Sequence, residues 1–360
     1  KVRGRVADLE NTMGASLDGV VGIGHTRWAT HGEPSVINAH PHTSHGGLFT
    51  IVHNGVIENF RILKNELIDK GYLFKSETDT EIIANILEDN YRQSKDVLKA
   101  ISKMMSQIKG SYALAIIFSL EKDKVYYVKN RSPLLIGHGE SGNFLASDYL
   151  PMLKIAHQFV AIGDYQYGCI SLHDIQMFDR SDRLLEVTYH TTDLKAEALD
   201  LNGYPHYMLK EIEEADKCVQ LLIDNYSDGK SFLFDETMMQ KIRKADNLVF
   251  LACGTSYHAC LLGSRFFRNA GKVSDIYIAS EWAFNPYSSS ENTVYVLMSQ
   301  SGETADLIHC LSIIQKSGGT IIAITNTQGS TLSRSAHHTV LLYAGIEVAV
   351  ASTKAYIAQV

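Results

Sequence analysis

Leu248-Val249-Phe250-Leu251-Ala252-Cys253-Gly254-Thr255-Ser256 is an apolar run of strand length that ends in a glycine and two hydroxyl residues. A helical pattern, Tyr257 to Asn269, begins directly after it. The same rhythm returns downstream, with an apolar run Val294 to Met298, the loop Ser299-Gln300-Ser301-Gly302-Glu303-Thr304, and a helical pattern from Thr304 to Lys316. Ile276 to Ala279, Thr320 to Thr325 and Thr339 to Tyr343 read as further strands. Strands alternating with helices predict βαβ units, hence a parallel sheet covered by helices. Ligands of such sheets sit beyond the carboxyl ends of the strands, so the loops after each strand are the places to look for function.

Two of those loops carry hydroxyl side chains and a glycine at the mouth of a helix. The first amides of a helix lack intrahelical acceptors and, with the helix dipole, favour an anion. Thr255, Ser256, Ser299, Gln300, Ser301 and Thr304 add neutral polar groups, and neither loop contains Lys or Arg. That set suits a phosphate monoester. It does not suit a nucleoside triphosphate with magnesium, since no G-x-x-x-x-G-K-[ST] is present. For one loop alone, simple N-capping explains the hydroxyls as well; two at one sheet edge favour the phosphate. Cys253 is expected to be a small buried core residue and Glu303 a first-turn helix residue.

Upstream the pattern changes. Phe49 to His53, Ala113 to Phe118, Val125 to Val128, Leu134 to Ile136 and Ile170 to Phe178 read as strands, and Asn59 to Lys70 and Asp79 to Arg92 as helices, an α+β pattern with packed sheets. A weakly patterned stretch from His190 to Pro205 suggests a linker, followed by one amphipathic helix, Met208 to Tyr226. Three polar motifs stand out in this half. Arg27, within His25-Thr26-Arg27-Trp28-Ala29-Thr30-His31-Gly32-Glu33-Pro34, offers a fork for a carboxylate, or a surface ion pair. Asn54-Gly55 after a strand can form an oxyanion hole, or an ordinary turn. Ser76-Glu77-Thr78-Asp79-Thr80-Glu81 opens a helix as a capping box, with Asp79 available for an ammonium. An Arg and an Asp that met in space would recognise a free amino acid.

Composition narrows the field. Hydrophobic residues make up 45% and charged residues 20% of 360, enough apolar material for two or three globular domains. A net charge of -7 argues against a nucleic-acid partner. Five cysteines without a C-x-x-C pair suggest a reducing, cytoplasmic setting with no disulfide framework and no zinc site. No run has the length of a membrane span. The chain opens on Lys1 and closes on Ala358-Gln359-Val360 inside an apolar pattern, which suggests cut ends.

Together these motifs resemble the glutamine–fructose-6-phosphate aminotransferase (isomerizing) family in its bacterial form. His25 to Pro34, His53 to Asn59 and Ser76 to Glu81 are similar to its class II glutaminase domain. Cys253 to Tyr257, Ser299 to Thr304 and Glu347 to Ala355 are similar to its first sugar isomerase (SIS) domain. The resemblance implies an α+β Ntn-hydrolase fold, an αββα sandwich, over residues 1–190. It implies a linker over 191–207 and an α/β SIS domain with a parallel sheet over 208–360. It implies that Arg27 and Asp79 bind the carboxylate and amine of glutamine, with Trp28, Thr30 and His31 lining the pocket, and that Asn54 and Gly55 form the oxyanion hole. Thr255, Ser256, Ser299, Gln300, Ser301 and Thr304 would hold the phosphate of fructose 6-phosphate, and Val350 and Ser352 would contact the sugar or a neighbouring loop. The family's nucleophile is an N-terminal Cys with its own amine as base. Its isomerase Glu, His and Lys lie in a second SIS domain; neither set is within this sequence. The resemblance implies a homodimer without metal or organic cofactor. The glutaminase of phosphoribosyl-pyrophosphate amidotransferase and a non-catalytic sugar-phosphate sensor are the rival readings.

Overall fold

The computed structural model describes residues 1–13, 19–27, 32–192, 199–287 and 292–360. The chain divides into two compact units, Lys1–Asp193 and Leu194–Val360.

In the first unit, helix α1 (Val6–Thr12) precedes β1 (His42–Thr43) and β2 (Phe49–Ile57). Helices α2 (Phe60–Asp69), α3 (Thr80–Ser94) and α4 (Val97–Gln107) follow, then β3 (Gly110–Phe118) and β4 (Val125–Asn130). The remaining strands are β5 (Leu135–Gly139), β6 (Gly142–Ala146), β7 (Gln158–Ala161), β8 (Gln166–Ile170) and β9 (Ile175–Phe178). Six strands form an antiparallel sheet in the order β1-β2-β3-β4-β8-β9, and three form a second sheet, β6-β5-β7. Alternation decides the layering. Phe49, Ile51 and Ile57 of β2 and Leu114 and Ile116 of β3 pack with Ile82, Ile83 and Leu87 of α3 and Ile101 and Met104 of α4 in one core. Tyr127, Ile170 and Met177 point the other way, onto Ile136 and Val160 of the small sheet. The far face of the small sheet is covered by the turn at Leu150–Met152; a Cβ on Gly137 would stand 2.8 Å from the Met152 sulfur. Helices, sheet and sheet therefore stack as in an Ntn-hydrolase.

Sequence and structure differ here in detail. Ile170 to Phe178 is a hairpin rather than one strand, because the chain turns at 171–174 and the Asp174 amide bonds the Ser171 hydroxyl. Helix α4 is absent from the sequence reading. Its buried residues Val97, Ala100, Ile101, Met104 and Met105 nevertheless recur at helical spacing, and Asp96 caps it by accepting from the Lys99 amide at 3.1 Å.

The second unit opens with α5 (Tyr207–Glu213), α6 (Ala215–Tyr226) and α7 (Glu236–Lys244). The expected single helix Met208 to Tyr226 is thus two, broken at Glu214, whose carboxylate meets Lys354 Nζ at 2.7 Å. Strand β10 (Asn247–Ala252), α8 (Gly254–Asn269), β11 (Ser274–Ile278), the short α9 (Ala279–Trp282), β12 (Thr293–Ser299) and α10 (Ala305–Ser317) follow. Then come β13 (Thr320–Thr325), α11 (Thr331–Ser335), β14 (His338–Leu341) and α12 (Lys354–Gln359). The five strands are all parallel, in the order β11-β10-β12-β13-β14. Every residue of β10 and of β12 is buried, as a sheet covered on both faces requires. Separate apolar clusters lie on the two faces, Leu251 and Leu297 with α10, and Phe250 and Val296 with α8. No helix among the described residues is long and apolar enough to cross a membrane.

Candidate functional site

The first unit holds a cleft of about 1200 Å³. Residues 20–27, the end of β2, the start of α3 and the hairpin β5–β6 contribute to its lining. Arg27, Asn54, Gly55 and Asp79, drawn from three motifs far apart in sequence, all line it. Trp28, Thr30 and His31 lie outside the described residues.

The local structure explains this convergence. Antiparallel pairing sets Asn54 opposite Ala113 and Gly55 opposite Tyr112. Along β2, buried His53 faces the helices while Asn54 stands exposed to the cleft. Gly55 has φ +139°, and a Cβ there would stand 2.1 Å from the Ser111 carbonyl oxygen, so only glycine lets the two strands close at this point. Asp79 precedes α3 but does not cap it; its Oδ2 accepts from the Ile57 amide at 2.8 Å and so ties the helix start to the end of β2. The capping-box reading of Ser76 to Glu81 is modified accordingly. Glu81 reaches back to the Ser76 amide and hydroxyl, both at 2.6 Å, and to the Lys75 amide at 2.8 Å. Arg27 donates to the carbonyls of Gly32 at 3.0 Å and Glu33 at 3.3 Å, which ties the guanidinium to the backbone of residues 32–33.

Sequence reasoning missed the histidines behind this site. His25 stacks on His40 with centroids 4.3 Å apart, and His40 meets His42 edge-on at 5.1 Å. Burial, then the neighbouring His25, His42, His53 and Arg27, hold His40 neutral with its pKa down to about 2. Burial, with the Lys1 charge, takes His42 to about 4 against the opposing pull of Glu81. Burial also lowers His25 and His53. The legible signal is the alternation His40-Pro41-His42 leading into β1, which pairs with the strand that carries His53.

In the second unit both hydroxyl loops lie at the carboxyl edge of neighbouring strands, since β10 and β12 pair in parallel with Ala252 opposite Met298. The Gly302 amide donates to Ser299 Oγ at 3.0 Å, Thr304 Oγ1 lies 2.8 Å from the same oxygen, and Ser301 Oγ accepts from the Glu303 amide at 3.2 Å. Gly302 takes φ +67°, and a Cβ there would meet Ser330 Oγ at 2.1 Å. The Gln300 carbonyl accepts from the Asn326 amide at 3.0 Å, which anchors the loop to the end of β13. Thr255 and Ser256 occupy the first turn of α8, and Ser256 Oγ accepts from Gln359 of α12 at 3.0 Å. Buried Glu211 accepts from the amides of Val348 and Ala349 at 2.6 and 2.9 Å. Glu347 accepts from the Thr353 amide at 2.7 Å and the Ser352 hydroxyl at 3.2 Å, leaving Val350 89% exposed. Two expectations are corrected. Cys253 is only half-buried, 3.8 Å from Asp306 Oδ2, because it caps α8 instead of completing β10. Glu303 precedes α10, and its carboxylate accepts from the Thr331 amide at 2.7 Å.

Comparison with known proteins bears on both units. Residues 25–154 match the glutamine amidotransferase domain family and residues 241–360 the SIS domain family. The chain is 42% identical over 362 residues to the glutamine–fructose-6-phosphate aminotransferase (isomerizing) of Geobacillus kaustophilus strain HTA426, covering 100% of this chain and 60% of that protein. It is 43% identical over 363 residues to the protein of the same name from Staphylococcus aureus strain Mu50, again covering 100% of this chain and 60% of that one. Among solved structures, the C-terminal domain of glucosamine-fructose-6-phosphate aminotransferase from Francisella tularensis is 32% identical over 44% of this chain and 46% of that one, with a TM-score of 0.42. The chain spans about 60% of the length of the curated relatives it matches. The chain therefore carries a glutamine amidotransferase domain followed by a SIS domain, and over its whole length it is similar to the glutamine–fructose-6-phosphate aminotransferases.

Proposed function

We propose that the complete protein releases ammonia from glutamine in the cleft of the first unit and transfers it to fructose 6-phosphate at the loops of the second, forming glucosamine 6-phosphate and glutamate. The observation that carries this reading is the meeting of Arg27, Asn54, Gly55 and Asp79 in one cleft. A guanidinium and a carboxylate complement the two charged ends of a free amino acid. The Asn54 side-chain amide and the Gly55 N–H supply the donors that a tetrahedral oxyanion needs. Trp28, Thr30 and His31 lie in the same sequence motif as Arg27 and would complete the glutamine pocket in this reading.

The nucleophile is not one of this chain's cysteines. Cys169, the one cysteine before residue 193, faces the helical core, and burial pushes its thiol up. The family's N-terminal cysteine fills that role in the complete protein. Thr255, Ser256, Ser299, Gln300, Ser301 and Thr304 would ring the sugar phosphate, with Val350 and Ser352 beside the sugar. Neutral donors at helix mouths suit a single phosphate. The reaction draws on no metal or organic cofactor. In this reading the complete protein pairs with a second copy, and the five free thiols support a reducing, cytoplasmic setting.

The test is turnover by the full-length protein, following glutamate and glucosamine 6-phosphate from glutamine and fructose 6-phosphate. Both products should form, and Asn54→Ala should lower glutamine kcat by about 10²–10³ with little change in KM. Sugar-phosphate binding without either product would instead mark a sensor.

A further inference from the structure

The hydrogen bonds behind Asn54 specify where protons sit. The His53 backbone N–H donates to His40 Nδ1 at 3.2 Å. A ring nitrogen that accepts carries no proton, so a neutral His40 holds its proton on Nε2. That nitrogen faces Thr80 Oγ1 at 3.4 Å. The hydroxyl oxygen accepts there, and its own proton turns to His53 Nδ1, 3.1 Å away. His53 Nε2–H then donates to the Ser111 carbonyl at 3.4 Å, a group that can only accept. A backbone donor at one end and a backbone acceptor at the other give the chain a single direction. His42 stands beside this chain, with Nε2 facing Thr78 Oγ1 at 3.3 Å.

The placement of this chain gives it a role. His53 is the residue before Asn54, and Thr80 the residue after Asp79. Thr80 is 2% exposed and its hydroxyl joins two rings from different segments. We propose that Thr80 is a positioning residue of the glutaminase site, whose hydroxyl locks the strand end that presents Asn54 and Gly55 to the helix start that presents Asp79. This rests on reading the cleft as that site. The oxyanion contact strengthens only in the transition state, so a small shift of Asn54 acts on kcat more than on KM.

The experiment compares Thr80→Val, which keeps the branched shape, with Thr80→Ser, which keeps the hydroxyl, in the full-length protein. Thr80→Val should lower kcat for glutamine hydrolysis by about tenfold to a hundredfold with KM within about twofold, and Thr80→Ser should restore it. An unchanged kcat in Thr80→Val, or an equal loss in Thr80→Ser, overturns the role. Imidazole nitrogen NMR of the unmodified protein, which needs neither variant nor turnover, should show Nε2 protonated in His40 and His53. Protonated Nδ1 on His40 or His53 overturns the directed chain. A full-length protein that hydrolyses no glutamine sinks the reading of the cleft and the positioning role with it, while the NMR still decides the proton arrangement.

Discussion

Single atoms set hard limits at the cleft. A Cβ at Gly55 would collide with the backbone oxygen of Ser111, and the positive φ is itself costly for any other residue. Gly55→Ala is expected to destabilise the protein by about 2–4 kcal/mol, read from urea unfolding, since backbone cannot move aside as a flexible side chain would. The buried rings set a second limit. His40 and His42 titrate near 2 and 4 when folded but near the ordinary histidine value of 6.5 when unfolded. Between those values the unfolded chain binds more protons, so folding stability falls as pH drops below about 6.5. Unfolding at pH 5.5 should show a loss of roughly 1.4 kcal/mol for each of the two rings relative to pH 7.5. Equal stability at the two pH values would show that the rings do not stay neutral in the fold.

Elements are held to one another by a few buried carboxylates, and these explain much of what the sequence hid. On α3, Glu88 accepts from the Gly46 amide at 2.9 Å and from Arg92 at 3.1 Å, pinning residues 44–46 against the helix. Burial pushes its carboxyl up, but the bonds from Ser44, Arg92 and Gly46 outweigh this and leave it below the ordinary range. Its contribution is therefore present above the unfolded pKa and lost as pH falls through the folded value. Glu88→Gln should cost about 1–2 kcal/mol at pH 7, and the gap between variant and parent should close below about pH 4. The strands β10 and β12 and the hydroxyl loops after them were legible, because apolar runs, glycines and helical spacing are local signals. Arg27, Asn54 and Asp79 were legible as separate motifs, but it takes the Asp79–Ile57 bond to join the last two, and Arg27 meets them only in the lining of the folded cleft. The break at Glu214 was not legible, since its reason is Lys354, 140 residues away. His40, His53 and Thr80 were hidden for the same reason: each is ordinary in its own segment and acquires meaning through partners 13 to 40 residues distant.

At the scale of the whole chain, two units with different chemistry make separable ligand effects the natural expectation. In the full-length protein, Asp79→Ala should weaken stabilisation by glutamine and leave stabilisation by fructose 6-phosphate intact; Ser301→Ala with Thr304→Val should do the reverse. Thermal shifts at fixed ligand concentration give both readings, because a ligand stabilises in proportion to its binding to the folded form. Loss of both responses from either change would contradict the assignment of the two substrates to two units. The order β11-β10-β12 has a further consequence, for synthesis. Asn247–Ala252 leaves the ribosome before either strand that flanks it, and Thr293–Ser299 emerges some forty residues later. Until Ser274–Ile278 follows, the nascent protein carries a short apolar segment with both edges open, and one edge stays open until Thr293–Ser299 emerges, the kind of sequence that associates with its like on neighbouring ribosomes. A slow stretch of translation before residue 293 would prolong that exposure, and a holding chaperone would shorten its reach.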